Sequence, residues 1–209
     1  MNTSTYSLPL FPLNVVVCPD GQMPLNIFEA RYLDMVKKCL KNKSSFAIVA
    51  VLPQVGNKKG HLFPFEEVGT LVDIVDADVT TVGLMSIRCL GHHRIRVKSY
   101  KQQLDGLLIG EVVDIANDAV LPVPEDLEMT SHSLKRFVES LPSLNISPDN
   151  ISVVKPYKFD DASWVSNRWL ELMDLPLIQK QRLMQLDSPI VRLELIHDML
   201  AGAAEREHS

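Results

Sequence analysis

The chain has 209 residues, 46% hydrophobic and 22% charged, with a formal charge of −5 and a pI near 5.7. These proportions exclude a disordered chain and leave room for one large or two small cores, while the acidic balance argues against generic nucleic-acid binding, which needs a basic surface. No apolar run approaches the roughly 20 residues of a membrane-spanning helix, and the N-terminus lacks the basic start and unbroken apolar core of a signal peptide, so a cytoplasmic protein is expected.

Cys18, Cys39 and Cys89 are widely spaced and fall on strand or helix faces. They predict free buried thiols rather than a disulfide framework. In chain order, Leu8 to Leu40 reads as a strand, a turn and a helix. Val15, Val16 and Val17 are a β-branched run between Pro12 and Pro19, which suits a short strand. Asp20-Gly21 supplies a turn, and Asn26 with Glu29 three residues later has capping-box spacing, so a helix is expected to start there. Phe28, Tyr32, Val36 and Leu40 would form its buried stripe, with Lys37, Lys38 and Lys41 in solvent.

The order LPLFPLN, a proline-bounded turn, then PLNIFEARYLDMV resembles the opening of the Lon amino-terminal domain family, the substrate-binding portion of an ATP-dependent protease that also occurs as a stand-alone protein. Physics alone accounts for this stretch as a folding element. The resemblance adds a family.

Ser45 to Leu52 is a continuous apolar run of strand length, consistent with a strand covered on both faces and ended by Pro53. Gln54 to Pro64 carries turn chemistry and reads as a loop. Within Phe63-Pro64-Phe65, two aromatics beside a proline either contact an apolar peptide or fold back as a lid on the core, which makes Phe63 and Phe65 candidate peptide-binding residues. Gly69 to Ala77 alternates as a half-buried strand. Thr80 to Leu90 leads into Gly91-His92-His93-Arg94-Ile95-Arg96-Val97-Lys98, where Gly91 predicts a bulge or bend.

A period of two places Arg94, Arg96 and Lys98 on one strand face and Ile95 and Val97 on the other. That basic stripe is either a solvated face or a contact for an acidic peptide or a phosphate backbone. The glycine followed by Arg94-Ile95-Arg96-Val97 is similar to a segment of the same family, although Ile95 stands where phenylalanine is common and Gly83-Leu84 replaces an aspartate-glycine-arginine turn. Cys89, His92 and His93 lack the second ligand pair of a structural zinc site, so no metal is expected. Gly106 to Ala116 gives a further strand.

From Pro122 the period becomes helical. Leu127, Leu134, Phe137, Val138 and Leu141 mark one helix, and Ser143 to Lys158 is a long polar connection. Asp161 or Ser163 caps a second helix carrying Val165, Trp169, Leu172 and Met173, Leu177 to Leu186 forms a third, and Ser188-Pro189 opens a fourth through Leu200. His197 reads as a satisfied histidine on an apolar face, and Ala201 to Ser209 as a fraying tail. The run WVSNRWLELMDLPLIQKQRLMQLDSPIVRLELIHDML also resembles the helical half of the Lon amino-terminal domain.

The expected architecture is α+β: residues 1–118 form a β-rich domain and 119–209 a helical bundle. The resemblance implies a curved, mostly antiparallel PUA-like barrel for the first part. It also implies binding of polypeptide or unfolded segments without turnover, as an adaptor or chaperone-like module. The alternative is an RNA-binding PUA-like protein using the basic strand face. No cofactor is implied. Val55 to Gly60 lacks the hydroxyl and helix entry of a phosphate-binding loop, and Gln22 follows Pro19-Asp20-Gly21 where a protease nucleophile would have to appear, so catalysis is not expected.

Overall fold

The structure, a computed structural model, describes residues 4–51, 64–144, 146 and 151–207, with side chains described as far as residue 203. The chain divides between Asn117 and Asp118 into two compact units.

The first unit contains strands β1 (Tyr6–Leu13), β2 (Gln22–Ile27), β3 (Phe46–Ala50), β4 (Val68–Thr81), β5 (Leu84–Gln102) and β6 (Leu108–Asp114), and helix α1 (Ala30–Asn42). They make one sheet in the order β2-β5-β4-β3-β1-β6, and β5 also pairs with β6. Successive pairings therefore run from β5 through β4, β3, β1 and β6 and return to β5, with β2 added outside this cycle on the first half of β5. Among the described residues, only β1 and β3 pair in parallel. β5 can serve three neighbours because it is 19 residues long: its first part pairs with β2, its last part with β6, and β4 spans most of it.

The sequence of β3, FAIVA, explains its central place. All five residues are buried. Phe46 and Ile48 join the cluster that contains Tyr32, Met35, Val36 and Cys39 of α1, while Ala47 and Val49 join a second cluster with Leu8, Leu10, Ile95, Val97 and Val112. An unbroken apolar run is what a strand with two covered faces requires.

Two local expectations change. The strand in the opening stretch is Tyr6–Leu13, which includes Pro9 and Pro12, and Val16 and Val17 are buried outside any strand. Val51 donates its N–H to Leu13 O, so in this parallel pairing residues 11 and 13 turn their backbone groups to β3 and Pro12 turns away, where no donor is missed. Asn26 remains in β2 opposite Ser86, and α1 starts four residues later with Glu29 at its N-cap and no side-chain cap. The buried face of α1 is then Tyr32, Met35, Val36 and Cys39, at i, i+3, i+4 and i+7. Phe28, before the helix, is 70% exposed.

Gly91 has the expected bulge beside it. His92 and His93 together oppose Leu71, because Val72 pairs with Gly91 and Thr70 with Arg94. A Cβ at Gly91 would collide with the Cys18 carbonyl, whose turn lies over the strand through Asp20 N–H to Gly91 O at 2.9 Å. Cys18, Cys39 and Cys89 are buried free thiols. Burial pushes the Cys89 thiol up to about 12 and raises that of Cys39.

The second unit contains α2 (Glu128–Ser140), α3 (Ala162–Leu172), α4 (Leu177–Met184) and α5 (Pro189–Glu207). Asp161 caps α3, accepting from Ser163 N–H at 2.9 Å, and α5 continues as helix to Glu207 through the expected fraying tail. Its core joins Leu134, Val138, Leu141, Trp164, Val165 and Leu193. Trp169 Nε1 donates to Thr130 O at 2.9 Å, and the Thr130 hydroxyl meets His197 Nδ1 at 2.8 Å, so His197 is a hydrogen-bonded histidine of the packing. No helix among the described residues is long and apolar enough to cross a membrane.

Candidate functional site

The five residues singled out by sequence do not share one surface. Phe63 lies outside the described residues. Phe65 is 1% exposed, packs in the cluster with Leu8, Val49 and Val97, and meets the Tyr100 ring edge-on at 5.3 Å. It is the lid of the two alternatives, because its own apolar area finds a core to cover.

Arg94 is 4% exposed, so the basic stripe is shorter than its spacing implied. It is the first residue after the bulge, where the strand bends and a side chain is re-aimed, and its own backbone carbonyl takes Ile115 N–H at 2.9 Å. Ile95 and Val97 face inward as expected. Arg96 and Lys98 remain on the outside, Arg96 with Glu67 3.9 Å away. Two exposed cations, one of them near a carboxylate, form a weak anion surface.

Beside them, Asp114 Oδ1 accepts from Tyr6 OH at 2.5 Å and meets His93 Nε2 at 2.8 Å, and the Nδ1 atoms of His93 and His92 are 2.9 Å apart. The Tyr6 bond is the largest cause holding the Asp114 carboxyl below its usual range, with His93 assisting. Burial and that same bond raise the Tyr6 phenol. Each polar group in this row has a partner within the row, which ties β1, β5 and β6 together.

A concave feature of the strand unit lies at the opening stretch instead. A cleft of about 470 Å³ is walled by Phe11, Pro12 and Leu13 of β1, Leu25 and Asn26 of β2, Phe28, Glu29, Arg31 and Tyr32 around the start of α1, Pro64, and Tyr100, Gln102, Gly106 and Leu108 at the ends of β5 and β6. Its volume falls in the range of small-ligand pockets. The lining is apolar and aromatic with a few polar groups, the composition that binds side chains and orients them. Phe11 stacks on Tyr32 with ring centroids 4.1 Å apart, and the Arg31 guanidinium covers Tyr32 at 4.7 Å from its centroid. Burial raises the Tyr32 phenol against the opposing effect of Arg31.

Arg31 is held on two sides. Its Nη2 is 2.7 Å from Glu29 Oε2, and its Nη1 donates to Gly106 O at 3.2 Å. Gly106 has φ +85, and a Cβ there would come within 2.8 Å of Nη1, so the turn before β6 is shaped to receive the guanidinium. Phe28 and Tyr100 are both exposed in the lining. Sequence reasoning missed Phe28, Arg31 and Tyr100. Phe28 was hidden because the capping-box spacing at Asn26 and Glu29 placed it inside the helix stripe, whereas α1 starts at Ala30 and leaves it outside.

These features coincide with a family match. The model of the substrate-binding domain of ATP-dependent protease La (Lon) covers residues 7–202. The chain belongs to the Lon substrate-binding domain family. It is 25% identical over 215 residues to a LON peptidase N-terminal domain and RING finger protein of Schizosaccharomyces pombe, an alignment covering 90% of this chain and 44% of that protein. The chain thus spans less than half the length of that curated relative. Among solved structures it is similar to a Lon N-terminal domain protein from Xanthomonas campestris, with 32% identity, a TM-score of 0.72 and coverage of 94% of this chain and 98% of the other. The N-terminal domain of a Mycobacterium avium complex Lon protease shares the fold at 15% identity, with a TM-score of 0.60 and coverage of 92% and 97%.

Proposed function

We propose that this protein is a non-catalytic polypeptide-binding module, an adaptor or chaperone-like binder, that takes exposed apolar segments of other proteins into the cleft beside α1. The observation that carries the reading is the cleft itself, an apolar concavity with Phe28 70% exposed in its lining, in a chain of the Lon substrate-binding family. Large solvent-facing aromatics beside a pocket are the usual anchors of peptide recognition. Sequence-tolerant binding suits such a surface, since apolar burial is non-directional.

Three finer points belong to the same reading. The cyclic strand pairing supports a PUA-like barrel for the first unit. The match over residues 7–202 is to a substrate-binding domain, which supports binding without turnover. Buried free thiols fit a reducing compartment and hence the cytoplasm.

Calorimetric titration with a permanently unfolded protein and with short apolar peptides tests the proposal. Saturable binding at micromolar concentration, with a negative heat-capacity change from apolar burial, is the expected result. An absence of heat and of competition up to high micromolar concentration overturns it.

A further inference from the structure

Resting on the peptide-binding reading, we propose that Arg31 makes the cleft selective for one kind of segment: a polypeptide C-terminus in which an apolar residue precedes the free carboxylate. A guanidinium has five N–H donors. The structure commits Nη1 to Gly106 O and Nη2 to Glu29, while Nε is buried and has no hydrogen-bond partner. An unmade bond at a buried donor is unfavourable and is relieved when an acceptor arrives. The planar fork of arginine matches a carboxylate, so a small turn of the side chain toward an incoming carboxylate completes it.

Glu29 occupies part of that fork through a half-exposed ion pair, with side-chain exposures of 32% and 45% for the two partners. Such pairs contribute little in water, so a ligand carboxylate can take the place of Glu29 without a large loss. The Gly106 carbonyl and the Tyr32 ring keep that turn of the guanidinium small.

The walls favour a chain end over a strand passing through. Pro12 and Pro64 line the cleft and have no N–H to donate, so strand addition along them would lack ladder bonds. The occupant is held by its apolar side chains and its terminal charge.

The test uses the full chain and three versions of one apolar hexapeptide ending in leucine: the free acid, the C-terminal amide, and the amide with an internal aspartate. The free acid is expected to bind the wild-type protein roughly tenfold or more tightly than the amide, the worth of one charged hydrogen bond. That preference should weaken with added salt, shrink in Arg31→Lys and vanish in Arg31→Gln. The Arg31 Nε–H resonance should shift with the free acid and stay in place with the amide, a readout that a merely structural role would not move. Equal binding of acid and amide overturns the inference and leaves the peptide-binding reading standing. Equal binding of the internal-aspartate peptide and the free acid overturns the assignment to a chain end. Failure of all three peptides to bind removes this inference together with the reading beneath it.

Discussion

Arg192 in the helical unit and Arg31 in the strand unit carry the same group into two settings. Arg192, 1% exposed, donates from Nε to Leu183 O at 3.0 Å, from Nη1 to Asp118 Oδ2 at 2.8 Å and Asn167 Oδ1 at 3.0 Å, and from Nη2 to Leu186 O at 2.6 Å. Four of its five donors are used, and Asp118 also accepts from Ser163 Oγ at 2.8 Å. It ties α3, the end of α4 and α5 to the start of the unit. Arg31 is about a third exposed, sits over a cleft and keeps a donor in reserve. A buried arginine with four donors bonded specifies packing, whereas one left less complete beside a cleft is suited to a ligand.

Removing Arg192 should have the largest effect. Arg192→Met leaves Asp118 buried without its cation and is expected to cost about 3–5 kcal/mol in the helical unit. Urea unfolding followed by tryptophan fluorescence reads this directly, because both tryptophans, Trp164 and Trp169, lie in that unit. Pairing it with Asp118→Leu should restore much of the loss, since replacing both ions together avoids a stranded charge. The contrast is sharpened by Arg31→Gln, for which the change in stability should stay within about 1 kcal/mol.

Gly106→Ala comes next. Both Gly106 and Gly83 have positive φ, +85 and +83, so alanine at either should cost roughly 1–2 kcal/mol. Only at Gly106 would the new Cβ meet Arg31, and nothing lies within 4 Å of one at Gly83. Peptide affinity measured on both variants should therefore fall for Gly106→Ala and hold for Gly83→Ala. A fall in both would show that the hairpin turns, and not Arg31, control the cleft.

Phe28→Ser should separate binding from folding. At 70% exposure the ring contributes little to the core, so stability should move by about 0.5 kcal/mol or less. Apolar peptides should nevertheless bind several-fold more weakly. The smallest effect concerns Asp114. Its carboxyl is held low in the folded state, so its contribution is present above the ordinary carboxylate pKa and is lost as pH falls through the lower folded value. Asp114→Asn should flatten the acid limb of a stability–pH curve below about pH 4, and Tyr6→Phe should do so in part.

The fold was more legible than the site. The apolar run at β3, the glycine and bulge at Gly91, the Asp161 cap and the helical periods of the second unit follow from local chemistry, and the opening words identify the family. The edges of elements were not legible: a capping-box spacing at Asn26 and Glu29 was overridden when Asn26 was drawn into β2 by pairing with Ser86, which shifted the buried face of α1 and left Phe28 outside. Strand alternation likewise could not show that Arg94 follows a bulge and is buried. The cleft was hidden because its walls come from residues 11 to 108, and the match between Gly106 and Arg31 spans 75 positions. No periodicity records such a pair. The buried Arg192 carries no signal apart from its place in the family-like run of the last helix.

The central claim, that polypeptide binds in the cleft beside α1, is tested most directly by amide chemical-shift mapping during titration with an apolar peptide. The account predicts that the largest shifts fall on Leu13, Leu25, Phe28, Tyr100 and Gly106 and saturate together. Saturable shifts centred on Arg96 and Lys98, with the cleft unchanged, would contradict it.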